Sequence, residues 1–300
     1  DARLQRHGLR RIPGHHHQDW NFRAVKTGDI INLGQKNLTF IEAPMLHWPD
    51  NLFSYLDQEE ILFSSDAFGQ HYAASGHFND EVDNNELYQE AIKYYANILN
   101  PFSPMVARKI DEVLSLNLPL KMIAPSHGII WRDNPVQIVQ KYQEWAAQQP
   151  KPQAVIIYDT MWLSTKHMAE AIGDGLTEAG VSYKIFNSAT ADRNDIITEV
   201  FQAKAVILGS PTFNQGVLPT LAPVLTDLKG LKFKNKIGGA FGSYGWSGEA
   251  AGILEEHLKS SGINPVADSI KAKWRPRPDD LASCREFGRS IGQACLTDNN

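Results

Sequence analysis

Three side chains in the first half of the chain have the chemistry and the placement of metal ligands. His47 follows the apolar run "TFIEAP", Asp66 follows "EILFSS", and His127 follows "LKMIAPS". Each lies where a predicted strand ends and a loop begins. Imidazole and carboxylate groups together suit zinc or iron. One such residue alone is more often structural, but three at successive strand ends favour a metal site.

A second set of chemically useful residues lies in three segments of the second half, "TMWLSTK", "SPTFNQG" and "FGSYGWSGEA". The first offers hydroxyl groups at the start of a predicted helix, where free N–H groups suit a phosphate. It lacks the glycine fingerprint of dinucleotide folds and the Gly-Lys-Ser/Thr of a P-loop. We therefore expect a monophosphate held by hydroxyls and amides. Tyr244 and Trp246 are placed to lie against a flat ring.

The predicted binding residues of these segments are members of three short runs. They are Thr160, Met161, Trp162, Leu163, Ser164 and Thr165, then Ser210, Pro211, Thr212 and Asn214, and finally Ala240, Phe241, Gly242, Ser243, Tyr244, Gly245, Trp246 and Gly248. Phe213, Tyr244 and Trp246 have the alternative interpretation of ordinary packing residues.

Alternating strands and helices must position this second set. "AVIIYD" is a continuous apolar strand, as expected when a parallel sheet buries both of its faces. The strands "VSYKIFNS", "AVILGS", "KIGGAFGSYGW" and "VADSIKAKW" follow, each separated from the next by a helix. Five such units predict a doubly wound, parallel, five-stranded sheet. Ligands of such sheets bind beyond the carboxyl ends of the strands, where the three segments lie.

The first half has a different pattern, with short strands, turn signals and two predicted helices over 84–99 and 103–116. This pattern indicates layered α and β structure. The polar, proline-containing stretch "AAQQPKPQ" is the predicted linker. A length of 300 residues allows about two domains, which we place at 1–148 and 153–297.

Composition narrows the possible functions. The hydrophobic and charged fractions, 42% and 21%, are those of a globular protein, and the net charge of −5 gives no support to nucleic-acid binding. No apolar run approaches the ~20 residues of a membrane span. The two cysteines, Cys284 and Cys295, are too few for a four-cysteine cluster or a disulfide framework. We expect reduced thiols in a cytoplasmic protein.

Specific motifs resemble a known family. "PMLHWPD", "LFSSDAFGQHY" and "PSHGIIWRDNP" resemble the metallo-β-lactamase-like domain of flavodiiron proteins, and residues 153–297 resemble flavodoxin. The order of the two domains also matches, and the resemblance extends over nearly the whole chain after residue 14. "HHHQDWNF", "YYANIL" and "KAKWRP" are most similar to the nitric-oxide-reducing branch of that family.

The resemblance implies a fold, two cofactors and a reaction. The fold is a partial αββα domain followed by a flavodoxin-like domain that binds FMN. Asp66 bridges two iron ions, with His47 on one and His127 on the other. Nitric oxide is reduced to nitrous oxide with electrons from a rubredoxin through FMN, or O2 is reduced to water at the same site. The family assembles as head-to-tail dimers or as tetramers.

Two departures from the family pattern leave alternatives open. The first ligand motif of the family, His-x-Glu-x-Asp-His, is absent, and so are the paired Cys-x-x-Cys motifs of a rubredoxin domain. We therefore expect the remaining iron ligands in a missing N-terminal segment, and a rubredoxin domain that is lost or separate. The alternatives are a zinc hydrolase, which shares the fold of the first domain, and a non-catalytic FMN electron carrier.

Overall fold

A computed structural model of the chain describes residues 2–4, 17 and 22–297. The chain divides into two compact units, residues 1–147 and 148–300. No described helix is both long enough and apolar enough to cross a membrane.

The first unit contains seven described strands in two sheets. They are β1 (Ala2–Leu4), β2 (Phe22–Ala24), β3 (Ile30–Asn32), β4 (Asn37–Glu42), β5 (Leu52–Leu56), β6 (Ile61–Phe63) and β7 (Met122–Ala124). Strands β1 and β2 form a parallel pair, and β3 to β7 form a five-stranded sheet in chain order. In β5 the side chains alternate between the two faces, so that Phe53 and Tyr55 are buried.

The directions of the strands bring three loops to one edge of this sheet. β4 is antiparallel to β5 and β5 is antiparallel to β6, so β4 and β6 run the same way. β7 is parallel to β6. The carboxyl ends of β4, β6 and β7 therefore lie at the same edge, and these are the strands that precede His47, Asp66 and His127.

The described part of the first unit also contains three α-helices: α1 (Asn84–Tyr94), α2 (Ser103–Ser115) and α3 (Val136–Ala146). The Asp83 side chain caps α1 by accepting hydrogen bonds from two backbone N–H groups of its first turn. The segment 84–99 is helical as predicted, but its last five residues form a π-helical turn (Tyr95–Leu99), and a 3-10 turn (Asn100–Phe102) follows. The π turn places Tyr95 edge-on against Tyr142 of α3, which ties the two helices together.

The second unit is a parallel sheet flanked by helices. Its elements are β8 (Lys151–Tyr158), α4 (Ser164–Glu178), β9 (Ser182–Asn187), α5 (Arg193–Gln202), β10 (Ala203–Gly209), α6 (Ala222–Leu231), β11 (Ile237–Tyr244), α7 (Ala250–Ser260), β12 (Asn264–Pro265), β13 (Ile270–Lys273) and α8 (Pro278–Leu296). The strand order is β9-β8-β10-β11-β12, and β13 also pairs with β11. This order is that of the flavodoxin-like doubly wound fold.

The sheet of the second unit has six described strands where five were predicted. β12 pairs with the start of β11 and β13 with its end, so the two short strands share the fifth position. The chain leaves the sheet between them, where Ser269 hydrogen-bonds to Glu255 of α7. The predicted linker is also shorter, since α3 extends to Ala146 and β8 begins at Lys151.

Close packing of α4 on α8 depends on two glycines. A Cβ atom at Gly175 would lie 1.9 Å from the Arg285 carbonyl oxygen, and one at Gly288 would lie 2.1 Å from the Ile172 carbonyl oxygen. Any larger residue would force the helices apart. Behind them, β8 is buried from Ala154 to Tyr158, as its continuous apolar sequence predicts.

Candidate metal and flavin sites

The three predicted metal ligands lie together at one edge of the first unit's sheet. His47 Nε2 is 3.5 Å from Asp66 Oδ2, and His127 Nε2 is 3.9 Å from Asp66 Oδ1. Each histidine therefore faces a different oxygen of the same carboxylate. This arrangement suits a carboxylate that is shared between two metal ions.

The distances are compatible with metal ligation. Ligand atoms that bind one metal at ~2.1 Å lie ~3–4 Å apart. Among the described residues, no group of three or more His, Cys, Asp or Glu side chains could hold a metal ion. The three side chains would therefore be part of a ligand set rather than a complete one.

His127 is oriented by a backbone carbonyl. Its Nδ1 lies 3.1 Å from the carbonyl oxygen of Gln70. A hydrogen bond donated from Nδ1 to this carbonyl fixes the tautomer and leaves Nε2 free to bind a metal. The close approach requires Gly128, which has a φ of +81° and whose Cβ position lies 2.3 Å from Gln70 Oε1.

The Gln70 side chain holds the two ligand loops against each other. It is fully buried. Its Nε2 donates to the carbonyl oxygens of Phe68 and Ile129 at 3.0 and 3.2 Å, and its Oε1 accepts from Ile129 N–H at 2.7 Å. These bonds connect the loop that carries Asp66 to the loop that carries His127, so Gln70 fixes the distance between two ligands.

The protonation states of the nearby groups favour metal binding. Burial lowers the pKa of His47, although the Asp66 carboxylate opposes this shift. The imidazole is therefore neutral, as a ligand must be, to lower pH than usual. Ser126 Oγ donates a hydrogen bond of 2.7 Å to Asp66 Oδ1, which orients the carboxylate.

Two aromatic side chains stand next to His127. The rings of His71 and Tyr94 lie 5.2 and 5.1 Å from the His127 ring and 5.0 Å from each other. Burial, with a smaller contribution from the Asp66 carboxylate, raises the pKa of Tyr94 above its ordinary value. The phenol therefore keeps its proton beside the ligands.

The second unit contains a cavity of 660 Å³ at the carboxyl ends of its strands. This volume falls within the ~300–1,000 Å³ typical of cofactor and small-molecule sites. Eleven of the predicted residues line the cavity. They are Met161, Trp162, Leu163 and Ser164, then Pro211, Thr212 and Asn214, and then Ser243, Tyr244, Gly245 and Trp246.

The first of these segments has the features of a phosphate site. Leu163 adopts a left-handed conformation, with a φ of 66°, and Ser164 then begins α4. The N–H groups of the first turn of α4 therefore remain free of intrahelical partners. Thr160 Oγ1 is buried and has no hydrogen-bond partner among the described residues. An unpaired buried hydroxyl is costly, so it indicates a ligand at this segment.

Three tryptophan side chains around the cavity are more exposed to solvent than large apolar side chains usually are. Trp162 and Trp246 are 85% and 87% exposed, and Trp274 is 64% exposed. Flat apolar faces on a cavity wall suit a planar ring system. FMN fits such a site. Its phosphate suits the hydroxyls and helix amides at one part of the cavity, and its isoalloxazine ring suits the aromatic side chains at another.

Seven predicted residues do not line the cavity. Thr165 is fully buried, where its hydroxyl hydrogen-bonds to Ser243 Oγ at 2.8 Å. The Ser210 hydroxyl donates to the Pro211 carbonyl and accepts from Leu218 N–H, so its hydrogen bonds hold the loop in shape. Ala240, Phe241, Gly242 and Gly248 also lie off the wall. Thr160 is not a lining residue either, but it precedes the wall residue Met161 and its buried hydroxyl has no partner among the described residues.

Four residues of the wall were not among the predicted binding residues: His167, Phe213, Trp274 and Arg275. Trp274 and Arg275 follow β13, and the Trp274 N–H donates to the Tyr244 carbonyl. The carboxyl end of the fifth strand position should contribute a loop by the same rule that located the other three. The same rule applied to "KAKWRP" would have predicted Trp274 and Arg275 as wall residues.

The two sites together define a class of protein, a metal-binding β-lactamase-type unit joined to a flavodoxin-type unit. Residues 6–128 match the family described as ODP family beta lactamase, and residues 156–288 match the flavodoxin family. The first match begins nine residues before the point at which we placed the resemblance. The chain is 52% identical over 276 residues to a nitric oxide reductase of Moorella thermoacetica, covering 92% of this chain and 69% of that protein.

Another relative and two solved structures agree with this class. The chain is 51% identical to the anaerobic nitric oxide reductase flavorubredoxin of Klebsiella pneumoniae, covering 93% of this chain and 58% of that protein. Rubredoxin oxygen:oxidoreductase of Desulfovibrio gigas is 38% identical with a TM-score of 0.94, covering 98% of this chain and 74% of that one. The Giardia intestinalis flavodiiron protein is 29% identical with a TM-score of 0.91, covering 98% and 73%.

The chain belongs to the flavodiiron protein family. The flavodoxin match implies FMN as the cofactor of the second unit, and the family implies a diiron centre in the first. The chain spans little more than half of the length of the Klebsiella relative.

Proposed function

We propose that this chain is part of an oxidoreductase that reduces nitric oxide to nitrous oxide. The observation that carries the proposal is the Asp66 carboxylate, whose two oxygens face His47 and His127 separately. The two relatives of about 50% identity are both named as nitric oxide reductases, which supports this substrate. Two NO molecules, two electrons and two protons give N2O and water.

The residues of the first unit have distinct roles in this proposal. His47 would hold one iron and His127 the other, and Asp66 would be a ligand to both. When bound, the irons supply coordination positions for NO and the FMN supplies the electrons. Gln70 keeps the ligand loops at a fixed distance through its buried hydrogen bonds. Tyr94 Oη keeps a proton near the ligands, because burial raises the pKa of this phenol.

The residues of the second unit bind and orient the FMN. The hydroxyls of Thr160 and Ser164 and the first amides of α4 hold the phosphate, and Trp246 and Tyr244 lie against the ring. A flavin domain in the same chain argues against a zinc hydrolase, because hydrolysis requires no electrons.

The wider arrangement follows the family. A rubredoxin or a rubredoxin-type domain supplies the electrons, as the name of the Klebsiella relative suggests. The protein works in the cytoplasm, where buried free thiols such as Cys284 and Cys295 persist. A head-to-tail dimer or a tetramer stays a prediction.

Oxygen is the second candidate substrate. The structural relative from Desulfovibrio gigas is named as an oxygen oxidoreductase. Nothing in His47, Asp66 or His127 distinguishes the two gases.

Steady-state kinetics with both gases test the proposal. The iron- and FMN-containing holoenzyme would receive electrons from one reduced rubredoxin, and N2O formation and O2 consumption would be measured separately. We expect a higher kcat/KM for NO than for O2. A much higher kcat/KM for O2 would transfer the assignment to oxygen reduction, and no turnover of either gas with both irons present would refute a catalytic role.

A further inference from the structure

The first unit contains a cavity of its own, which none of the three candidate metal ligands lines. It has a volume of 290 Å³ and lies between strands β5 and β6 on one side and helices α2 and α3 on the other. Phe53 of β5 and Leu62 of β6 form part of its floor, and both are fully buried. The cavity therefore has a buried floor, while Leu114 on its wall is 39% exposed.

The floor of this cavity also includes residues of two ligand loops. Leu46 and Phe68 line it, and both are buried. Leu46 is the residue before His47, and Phe68 is two residues after Asp66. The lining of the cavity thus includes residues within two positions of two candidate metal ligands.

The lining of the cavity selects an apolar occupant. Eleven of its thirteen lining residues are apolar, and the two exceptions are Lys109 and Asn117. The Lys109 ammonium donates to Glu112 at 2.5 Å, and the Asn117 amide donates to the Ser115 carbonyl at 3.2 Å. Both polar groups thus already bind protein acceptors. A polar or charged ligand would lose its hydrogen bonds with water here and gain few in return.

We propose that this cavity binds a small diatomic gas and holds it next to the ligand loops. The identity of the gas rests on the proposed function, under which the gas is NO. O2 would enter the same cavity. Both molecules are uncharged and only weakly polar, so they favour an apolar cavity over water, as xenon does. The cavity raises the local concentration of substrate near the site, and no bond is made or broken in it.

Xenon under pressure tests the binding directly in crystals of the chain. We expect a xenon peak in contact with Leu46 and Phe68. Val113→Phe, on the wall of the cavity, should remove the peak by filling the space. Leu116→Phe is the matched control, because Leu116 caps the carboxyl end of the same helix, is 42% exposed and does not line the cavity. An empty cavity in the unsubstituted chain would overturn the proposal.

Kinetics of the holoenzyme test the role in substrate supply. We expect Val113→Phe to raise the KM for NO several-fold, with kcat, iron content and FMN content unchanged, whereas Leu116→Phe should change none of these. Leu114→Trp at the exposed part of the wall serves as a second filling variant, should Val113→Phe unfold the protein. An unchanged KM with the cavity filled would refute the supply role. If the holoenzyme reduced neither gas, the proposed function would fail, while the xenon peak would still decide gas binding.

Discussion

The two units of this protein build their sites in different ways. In the second unit, the cavity wall comes from four segments that each follow a strand of one parallel sheet. In the first unit, the candidate ligands among the described residues are His47, Asp66 and His127, and the hydrogen bonds of one buried glutamine hold the loops of the last two together. One site distributes its binding over many contacts, and the other concentrates it in a few.

This difference predicts how each site should respond to the substitution of one residue. A distributed site loses a little affinity with each substitution, because every contact contributes a small part. A concentrated site loses most of its metal when one shared ligand changes. Substitutions in one unit should also leave the cofactor of the other in place, since each site is formed within its own unit.

The largest effect is expected from Asp66→Asn. An amide carries no negative charge to offset two cations, so we expect iron content to fall more than tenfold while FMN content is unchanged. Metal analysis and flavin absorbance of the same sample measure both. Asp80→Asn is the matched control, because Asp80 is exposed and pairs with Arg132. Normal iron content in Asp66→Asn would show that Asp66 is structural.

Gln70→Ala should have the next largest effect. It removes the hydrogen bonds to Phe68 and Ile129 and leaves a buried N–H without a partner. Such a loss costs about 3 kcal/mol, so the first unit should unfold at lower denaturant concentration and bind iron more weakly. Gln58→Ala, which loses one exposed hydrogen bond, should cost less than about 0.5 kcal/mol. Equal stability of the two variants would refute the role of Gln70.

The double substitution Thr160→Ala and Ser164→Ala tests the distributed site. Loss of hydrogen bonds to a charged group costs about 2 kcal/mol, which corresponds to a Kd for FMN raised ~30-fold. Fluorescence titration of the flavin-free protein measures this, and iron content should not change. Thr226→Ala removes a hydroxyl that bonds only within α6 and should leave FMN affinity as it is. An unchanged Kd for FMN in the double variant would show that the phosphate binds at another segment.

The smallest effect is expected from Trp246→Ala. Loss of one aromatic contact with the flavin costs about 1 kcal/mol, a change of ~5-fold in the Kd for FMN. The free energy of unfolding should change little, because the side chain is 87% exposed. Trp246→Phe keeps an aromatic face and should recover most of the affinity. A loss of FMN as large as that of the double hydroxyl variant would show that the second site is concentrated too.

The sequence predicted the second unit well because its rules are local. Apolar strands such as "AVIIYD" and the loops after them are visible in a few consecutive residues. The direction of a hydroxyl is not visible in this way. Thr165 bonds to Ser243, 78 residues further along the chain, and so no local pattern shows that it faces the core. The division of the fifth strand position between β12 and β13 is likewise not visible in the sequence, because it is set by pairing with β11.

In the first unit the sequence predicted the ligands but not what positions them. His47, Asp66 and His127 were recognisable as polar residues after apolar strands, and the structure brings them to one sheet edge. Gln70 looked like any loop glutamine, because its role depends on Ile129, 59 residues away. The periodicity of a sequence indicates where helices and strands begin and end. Hydrogen bonds that hold two loops together appear only in the folded chain.

The sharing of Asp66 between two metals is the central claim, and anomalous diffraction at the iron edge tests it most directly. Crystals of the iron-loaded protein should show two separate anomalous peaks, one beside His47 and Asp66 Oδ2 and the other beside His127 and Asp66 Oδ1. A single peak bound by both histidines would contradict the claim. It would make the first unit a mononuclear site and remove the basis for a reaction between two NO molecules.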